Sequence, residues 1–186
     1  DFIANESRRS EALEIIINEL KNISASMDDV IIIACNTAHL LQPDIERQLN
    51  IRITSMVDAA IDYVSRHYKT IRLLASPTTI RIGLYDKPLK TAGVTVLTPD
   101  DNERQALETI IRTIIAGRIV PLLALEKVER IAKLEKVGID NCVENRLNNP
   151  PILLGCTELS CAFAKRPNTI DPMNILINHL AARGVL

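Results

Sequence analysis

Two cysteines in this sequence follow short aliphatic runs of similar composition. Residues 31–37 read IIIACNT and residues 152–158 read ILLGCTE, so each run ends in a small residue, a cysteine and polar side chains. A cysteine at a helix N-terminus is favoured as a thiolate, and thiol and thiolate form an acid/base pair that works near neutral pH. We therefore expect Cys35 and Cys156 to be reactive, with pKa values below the usual value of about 8.5.

A pair of such loops suits a reaction at a stereocentre. Inversion takes a proton from one face of a carbon atom and returns one to the other face, which a single group does not easily do. Asn36, Thr37 and Thr157 add hydrogen-bond donors for a carboxylate whose charge grows as the α-carbon loses its proton. Either cysteine taken singly is better explained by core packing, because free cysteine is among the most buried residue types. The pairing of two similar loops favours catalysis.

The surrounding segments alternate between short β-branched runs and longer amphipathic stretches, a pattern typical of βα units around a parallel sheet. Strands are predicted at 30–34, 51–56, 71–75, 94–97 and 152–154, and helices at 11–23, 39–49, 58–67, 103–115, 122–137 and 173–183. The run at 30–34 is entirely apolar, so we expect it to be buried on both faces. Ligands bind beyond the carboxyl ends of parallel strands, which is where both cysteines fall.

Composition excludes several classes of protein. The 186 residues include 22 Lys+Arg and 23 Asp+Glu, so the clustered positive charge of a nucleic-acid-binding protein is absent. No apolar run approaches the roughly 20 residues that span a membrane. The four cysteines form no zinc-site spacing and the first residues carry no secretory signal, so we expect reduced thiols, no metal and a cytoplasmic location.

Because the chain opens on a helix, we expect that a first strand-helix-strand unit is absent from this sequence.

The sequences ACNTAH at 34–39 and GCTEL at 155–159 resemble the two signature motifs of the aspartate/glutamate racemase family, and the TEL ending resembles aspartate racemases. The resemblance runs from about residue 11 to the C-terminus through MVDA at 56–59, SPTT at 76–79 and IDP at 170–172. It implies an α/β fold of two similar domains with mainly parallel strands and a pseudo-two-fold, divided here into 1–55 plus 170–186 and 56–169, with a cleft between them. It implies racemisation of an acidic amino acid, aspartate first, without pyridoxal phosphate, metal or nucleotide. We also expect a homodimer with a small-molecule substrate.

By motif match, the resemblance implies that Cys35 and Cys156 are the two acid/bases. The carboxylate ligands that it implies are Asn36, Thr37, Thr157 and, from a third loop, Thr78 and Thr79. Glu158 assists Cys156 in proton transfer, or is a first-turn acid favoured by the helix dipole. His39 lies four residues after Cys35, on the same helix face, where it orients substrate or tunes the thiolate, or is a partly exposed histidine at a helix start.

Other residues have simpler explanations. We assign Cys142 and Cys161 to packing, and Asp171 before Pro172 to a helix start.

The substrate stays open between aspartate and a broader range. Aspartate-selective relatives are expected to carry a lysine before an Ala-Gly pair at the end of the long helix, whereas residues 114–118 read IIAGR here. Two further alternatives stay open. One is a relative that decarboxylates malonates or isomerises maleate, although such relatives have altered cysteine usage. The other is a catalytically impaired relative that only binds a ligand.

Overall fold

The computed structural model describes residues 5–22, 29–118, 126, 128–130, 150–163 and 166–185. The strands are β1 (Ile31–Ile32), β2 (Ile53–Thr54), β3 (Thr70–Ala75), β4 (Thr95–Leu97), β5 (Ile152–Gly155) and β6 (Thr169–Ile170). The helices are α1 (Glu6–Asn22), α2 (Gln42–Leu49), α3 (Met56–His67), α4 (Pro77–Ile82), α5 (Asp86–Thr91), α6 (Asp101–Ile115), α7 (Thr157–Phe163) and α8 (Pro172–Ala182). A 3₁₀ helix, Thr37–Leu41, precedes α2.

The larger sheet has four parallel strands in the order β4-β3-β5-β6. Its two central strands are covered on both faces because their side chains alternate. Leu73 and Leu153 pack with α3, α5 and α8, whereas Leu74 and Leu154 pack with α6 and α7. The predicted α/β fold with parallel strands is therefore confirmed.

The smaller sheet pairs β1 with β2 in parallel and packs against α1 and α2 through Ala12, Leu41, Ile45 and Ile53. The prediction that residues 30–34 are buried on both faces is wrong. Val30 and Ile32 are each 40% exposed. In the described part of the chain β1 pairs with β2 alone, so its second edge has no neighbouring strand.

Capping side chains explain several helix boundaries. Ser55 accepts a hydrogen bond from the backbone N–H of Asp58 and starts α3, which shortens the strand predicted at 51–56. Asp100 and Glu103 form a reciprocal capping box at the start of α6. Asp171 accepts a hydrogen bond from the backbone N–H of Met173, which confirms its predicted role at the start of α8.

Two short helices were not predicted. α4 and α5 have six residues each, and Gly83, with a φ of 74°, ends the first of them. The helix predicted at 39–49 starts earlier, as the 3₁₀ turn. Of the helix predicted at 122–137, residues 126 and 128–130 are helical, and the other positions lie outside the described residues.

The last segment packs with the larger sheet. β6 pairs with β5, and α8 lies against α3 with Leu176 and Leu180 buried in the same core. The division into 1–55 plus 170–186 and 56–169 stays a prediction. Across the described ranges, no helix is both long enough and apolar enough to cross a membrane.

Candidate active site

β3 and β5 end side by side, which places the residues that follow them at one edge of the sheet. Ala75 and Gly155 are register partners, so Ser76 and Cys156 come next at the carboxyl ends of neighbouring strands. A Cβ atom at Gly155 would lie 2.9 Å from the Cβ of Ala75 and 3.1 Å from the ring of Tyr85. Glycine is therefore required for these groups to pack so closely beside Cys156.

The thiol of Cys156 is buried and hydrogen-bonded to the carboxylate of Glu158. Its Sγ donates a hydrogen bond of 2.9 Å to Oε2 of Glu158, and Oγ1 of Thr157 donates to the same oxygen at 3.3 Å. Burial, together with the hydrogen bond and the charge of Glu158, raises the pKa of Cys156 well above its ordinary value. Cys156 is therefore a protonated thiol at neutral pH.

The expectation of a lowered pKa is therefore wrong for Cys156. The backbone N–H groups of Glu158 and Leu159, at the start of α7, do lower the pKa, but burial and the neighbouring carboxylate outweigh them. Glu158 lies in the first turn of α7 and accepts a hydrogen bond from the Cys156 thiol. Its assistance in proton transfer stays a prediction.

Cys35 lies in the loop between β1 and the 3₁₀ helix, and its side chain is an exposed free thiol. The Nδ1–H of His39 donates a hydrogen bond of 2.8 Å to the carbonyl oxygen of Cys35. His39 is only 7% exposed, so the alternative of a partly exposed histidine is wrong. Burial lowers the pKa of His39, and this effect outweighs the Cys35 carbonyl and the charge of Asp58, which raise it. The neutral imidazole of His39 thus holds the backbone of the Cys35 loop through this hydrogen bond.

A third loop, after β3, touches the Cys35 loop through hydroxyl groups. Ser76 caps α4 by accepting from the backbone N–H of Thr79, and its hydroxyl donates to Oγ1 of Thr79 at 3.0 Å. Oγ1 of Thr79 lies 3.2 Å from Oγ1 of Thr37. Either hydroxyl can donate in this contact. Thr78 and Thr79 are both buried.

Tyr85 is a site residue that the sequence did not reveal. Its hydroxyl donates a hydrogen bond to Oδ1 of Asn36 in a buried contact. Burial raises its pKa, and the negative charges of Asp171 and Asp58 raise it further. The Tyr85 side chain thus lies near both cysteine loops. A buried tyrosine hydroxyl needs a partner, but nothing in the sequence indicates that this tyrosine is buried.

The predicted residues fall into two groups of contacts, one at the Cys35 loop with the loop after β3 and one at Cys156 with Thr157 and Glu158. The direct contacts join Asn36 to Tyr85, Thr37 to Thr79, His39 to the Cys35 backbone, and both Cys156 and Thr157 to Glu158. The prediction that Cys161 packs in the core is wrong, because its side chain is exposed, whereas Leu159 and Phe163 on the same helix are buried. Cys142 lies outside the described residues.

A cavity of about 770 Å³ lies between α3 and α8, beside the loops but lined by none of the nine predicted site residues. Asp58, Asp62 and Asp171 form part of its wall. The wall also carries Arg66, His67 and His179, and Arg66 forms an ion pair with Asp62. The described residues contain no cluster of three or more histidine, cysteine, aspartate or glutamate side chains that could hold a metal ion.

Part of this chain is similar to a curated racemase. The chain is 28% identical over 104 residues to the broad specificity amino-acid racemase RacX of Bacillus subtilis strain 168, a match that covers 56% of this chain and 45% of the relative. The chain thus spans less than half the length of that curated relative.

Two crystal structures illustrate the similarity of fold. An aspartate racemase homologue from Pyrococcus horikoshii OT3 is 26% identical, with a TM-score of 0.67, over 100% of this chain and 79% of that chain. The aspartate racemase of Picrophilus torridus is 20% identical, with a TM-score of 0.64, over 92% of this chain and 69% of that chain. The second likeness concerns the fold alone.

The family model described as Asp/Glu/Hydantoin racemase matches residues 1–180. This match covers both cysteine loops and the loop after β3. The chain therefore belongs to the Asp/Glu/hydantoin racemase family.

Proposed function

We propose that the protein racemises an acidic amino acid, aspartate first, by proton transfer through Cys35 and Cys156. The observation that carries this proposal is the hydrogen bond from Sγ of Cys156 to Glu158 at the end of β5. A buried cysteine with a packing role needs only hydrocarbon neighbours. The Cys156 thiol instead has a carboxylate that can receive its proton and return it.

Cys35 and Cys156 lie in different environments. Cys35 is exposed, and Cys156 is buried and protonated. In one direction of the reaction, Cys35 as thiolate takes the α-proton, and the C–H electron pair moves onto the substrate carboxylate. Cys156 then gives its proton to the opposite face of the α-carbon. This step leaves Cys35 as a thiol and Cys156 as a thiolate, with the substrate inverted.

Glu158 has its role when the other enantiomer is the substrate. Cys156 must lose its proton before it can accept one from the other enantiomer, and Oε2 of Glu158 is 2.9 Å from the sulfur. The proton moves to Glu158, the thiolate of Cys156 takes the α-proton, and Cys35 as thiol donates to the other face. Glu158 then releases its proton to solvent, and Cys35 is left as the thiolate with which the first direction begins. Thr157 donates to the same carboxylate and holds it in place.

The remaining predicted residues bind or support the substrate carboxylate. In the substrate complex, Asn36, Thr37 and the Thr157 hydroxyl, which turns from Glu158 to the substrate, donate hydrogen bonds to it and stabilise the negative charge that develops on deprotonation. Thr79 acts through Thr37, 3.2 Å away. Thr78 supports the same turn, and His39 fixes the backbone of Cys35. This scheme uses no cofactor or metal.

The second candidate is a broad-specificity amino-acid racemase. The end of α6 favours it, since Ile114 and Ile115 precede Ala116-Gly117 where aspartate-selective relatives are expected to carry a lysine. The match to a relative with that name supports the same candidate. A catalytically impaired relative that only binds a ligand is the third candidate, favoured by the burial of Cys156, which is 6% exposed.

One experiment separates these candidates. The complete protein is incubated in heavy water with L-aspartate, L-glutamate or a neutral amino acid, and deuterium at the α-carbon and configuration are measured. Exchange with inversion of aspartate alone supports the proposal, and comparable rates on neutral amino acids support the broad-specificity candidate. Binding without exchange refutes racemisation. The homodimer and the cytoplasmic location stay predictions, and the mass in solution tests the first of them.

A further inference from the structure

We propose that Tyr85 is a positioning residue for the substrate carboxylate, because it holds the side-chain carboxamide of Asn36 in one orientation. The inference rests on the proposed function, since it explains how that site presents a hydrogen-bond donor to its substrate. Tyr85 does not itself touch the substrate in this account. It acts through Asn36.

The contact between the two side chains is buried. Tyr85 is fully buried, and Asn36 is 3% exposed. The Tyr85 hydroxyl donates to Oδ1 of Asn36. A carboxamide has an acceptor at one end and a donor at the other. A hydroxyl donor held against Oδ1 therefore directs the NH₂ group of Asn36 away from Tyr85, as a donor to an anion.

The environment keeps the Tyr85 hydroxyl in its donor form. Burial raises its pKa, and the negative charges of Asp171 and Asp58 act in the same direction. The phenol thus keeps its single proton, and Oδ1 of Asn36 accepts it. Its ring lies against Gly155, the residue before Cys156, so the ring cannot shift without disturbing β5.

Neighbouring residues of the Cys35 loop are held by separate contacts. Asn36 bonds to Tyr85, and Thr37 lies 3.2 Å from the hydroxyl of Thr79. Thr79 is in α4 and Tyr85 is the residue before α5, so both contacts come from the segment that follows β3. Loss of the Tyr85 hydroxyl should therefore release the Asn36 carboxamide and leave the Thr37 contact in place.

The first test is a double-mutant cycle on the complete protein. Tyr85→Phe keeps the ring against Gly155 and removes the hydroxyl, and we expect KM for L-aspartate to rise about tenfold with kcat changed less than about threefold. Asn36→Ala should raise KM by a similar factor, and the double variant should add nothing further. Additive effects would show that Tyr85 acts elsewhere, and would overturn the inference. Tyr68→Phe, which removes a hydroxyl bonded to Tyr63 away from these loops, should leave KM unchanged.

A second variant tests the orientation even if Tyr85→Phe does not fold. Asn36→Asp keeps an oxygen acceptor for Tyr85 and replaces the donor NH₂ with a carboxylate oxygen. We expect a folded protein with KM raised at least about tenfold, since the new charge repels the substrate carboxylate. An unchanged KM would mean that the NH₂ group does not face the substrate, and would overturn the inference.

Binding of succinate, an unreactive dicarboxylate, separates this inference from the proposed function. If the wild-type protein does not exchange the α-hydrogen, the racemase proposal fails, and the succinate Kd then decides the inference. A Kd about tenfold weaker in Tyr85→Phe supports it. An unchanged Kd, or no binding by the wild-type protein, overturns it. If Tyr85→Phe is active and its KM is unchanged, the inference is overturned, and the proposed racemase function is unaffected.

Discussion

Sγ of Cys156 lies 2.9 Å from Oε2 of Glu158, and both residues belong to the turn from β5 into α7. The pair gives the proton on Cys156 a definite acceptor within a buried environment. Cys35, in contrast, has an exposed side chain. Cys35 and Cys156 thus differ in burial and in their hydrogen-bond partners, and the consequences of this difference can be measured.

Replacing Glu158 by glutamine should slow catalysis more than binding. Glutamine keeps the size of the side chain but cannot take up the thiol proton, so we expect kcat to fall about 100-fold with both enantiomers, because the two directions of a racemisation must keep equal kcat/KM. KM should change less than about threefold. Initial rates with each enantiomer check this. Glu108→Gln, which changes an exposed ion pair with Arg112 on α6, is the matched control and should retain full activity. Equal rates for wild type and Glu158→Gln would remove Glu158 from the mechanism.

Stability should fall in alkaline solution because of Cys156. Its pKa is raised in the folded state, so below about pH 9 the thiol is protonated in both the folded and the unfolded chain. Above that pH the unfolded chain releases the proton and the folded chain does not. The free energy of unfolding therefore decreases by up to about 1.4 kcal/mol per pH unit from this group.

Urea unfolding of variants between about pH 8 and pH 10 measures this effect. Cys156→Ser should show a shallower decrease than the wild-type protein. Cys161→Ser, which removes an exposed thiol from the same helix, should keep the wild-type slope. Identical slopes in all three proteins would show that Cys156 is not the group responsible.

Alanine at position 155 should destabilise the fold. The new Cβ would lie 2.9 Å from the Cβ of Ala75, and we expect the free energy of unfolding to drop by about 1–3 kcal/mol. Adding Ala75→Gly removes that contact, so the double variant should lose less than the sum of the two single losses. Urea denaturation of the four proteins measures the coupling, and strictly additive losses would contradict the close packing of β3 on β5.

Periodic and well-capped segments were the part of the fold that the sequence could predict. β3 and β5 are runs of β-branched or aliphatic residues buried on both faces, and α3, α6 and α8 carry long apolar stripes with Ser55, Asp100 and Asp171 at their starts. Such local signals do not need the rest of the molecule. α4 and α5 were missed because six residues are too few to show a helical period.

The chemistry of the site was only partly predictable, because burial depends on the whole fold. The motifs identified both cysteines, but not that Cys156 would have a raised pKa through burial beside Glu158. The contact of Tyr85 with Asn36 joins residues far apart in the chain and leaves no local signal. Ile32 is exposed because, in the described part of the chain, β1 has a neighbouring strand on one edge only. The apolar sequence of β1 does not encode how many strands lie beside it.

The central claim is that two opposed thiols share the proton transfer, and α-hydrogen exchange in Cys35→Ser and Cys156→Ser tests it most directly. Each variant of the complete protein is incubated in heavy water with L-aspartate and, separately, with D-aspartate. We expect both variants to lose racemisation, and any residual deuterium uptake to occur with one enantiomer only, a different one in each variant. Racemisation retained by either variant would contradict the account.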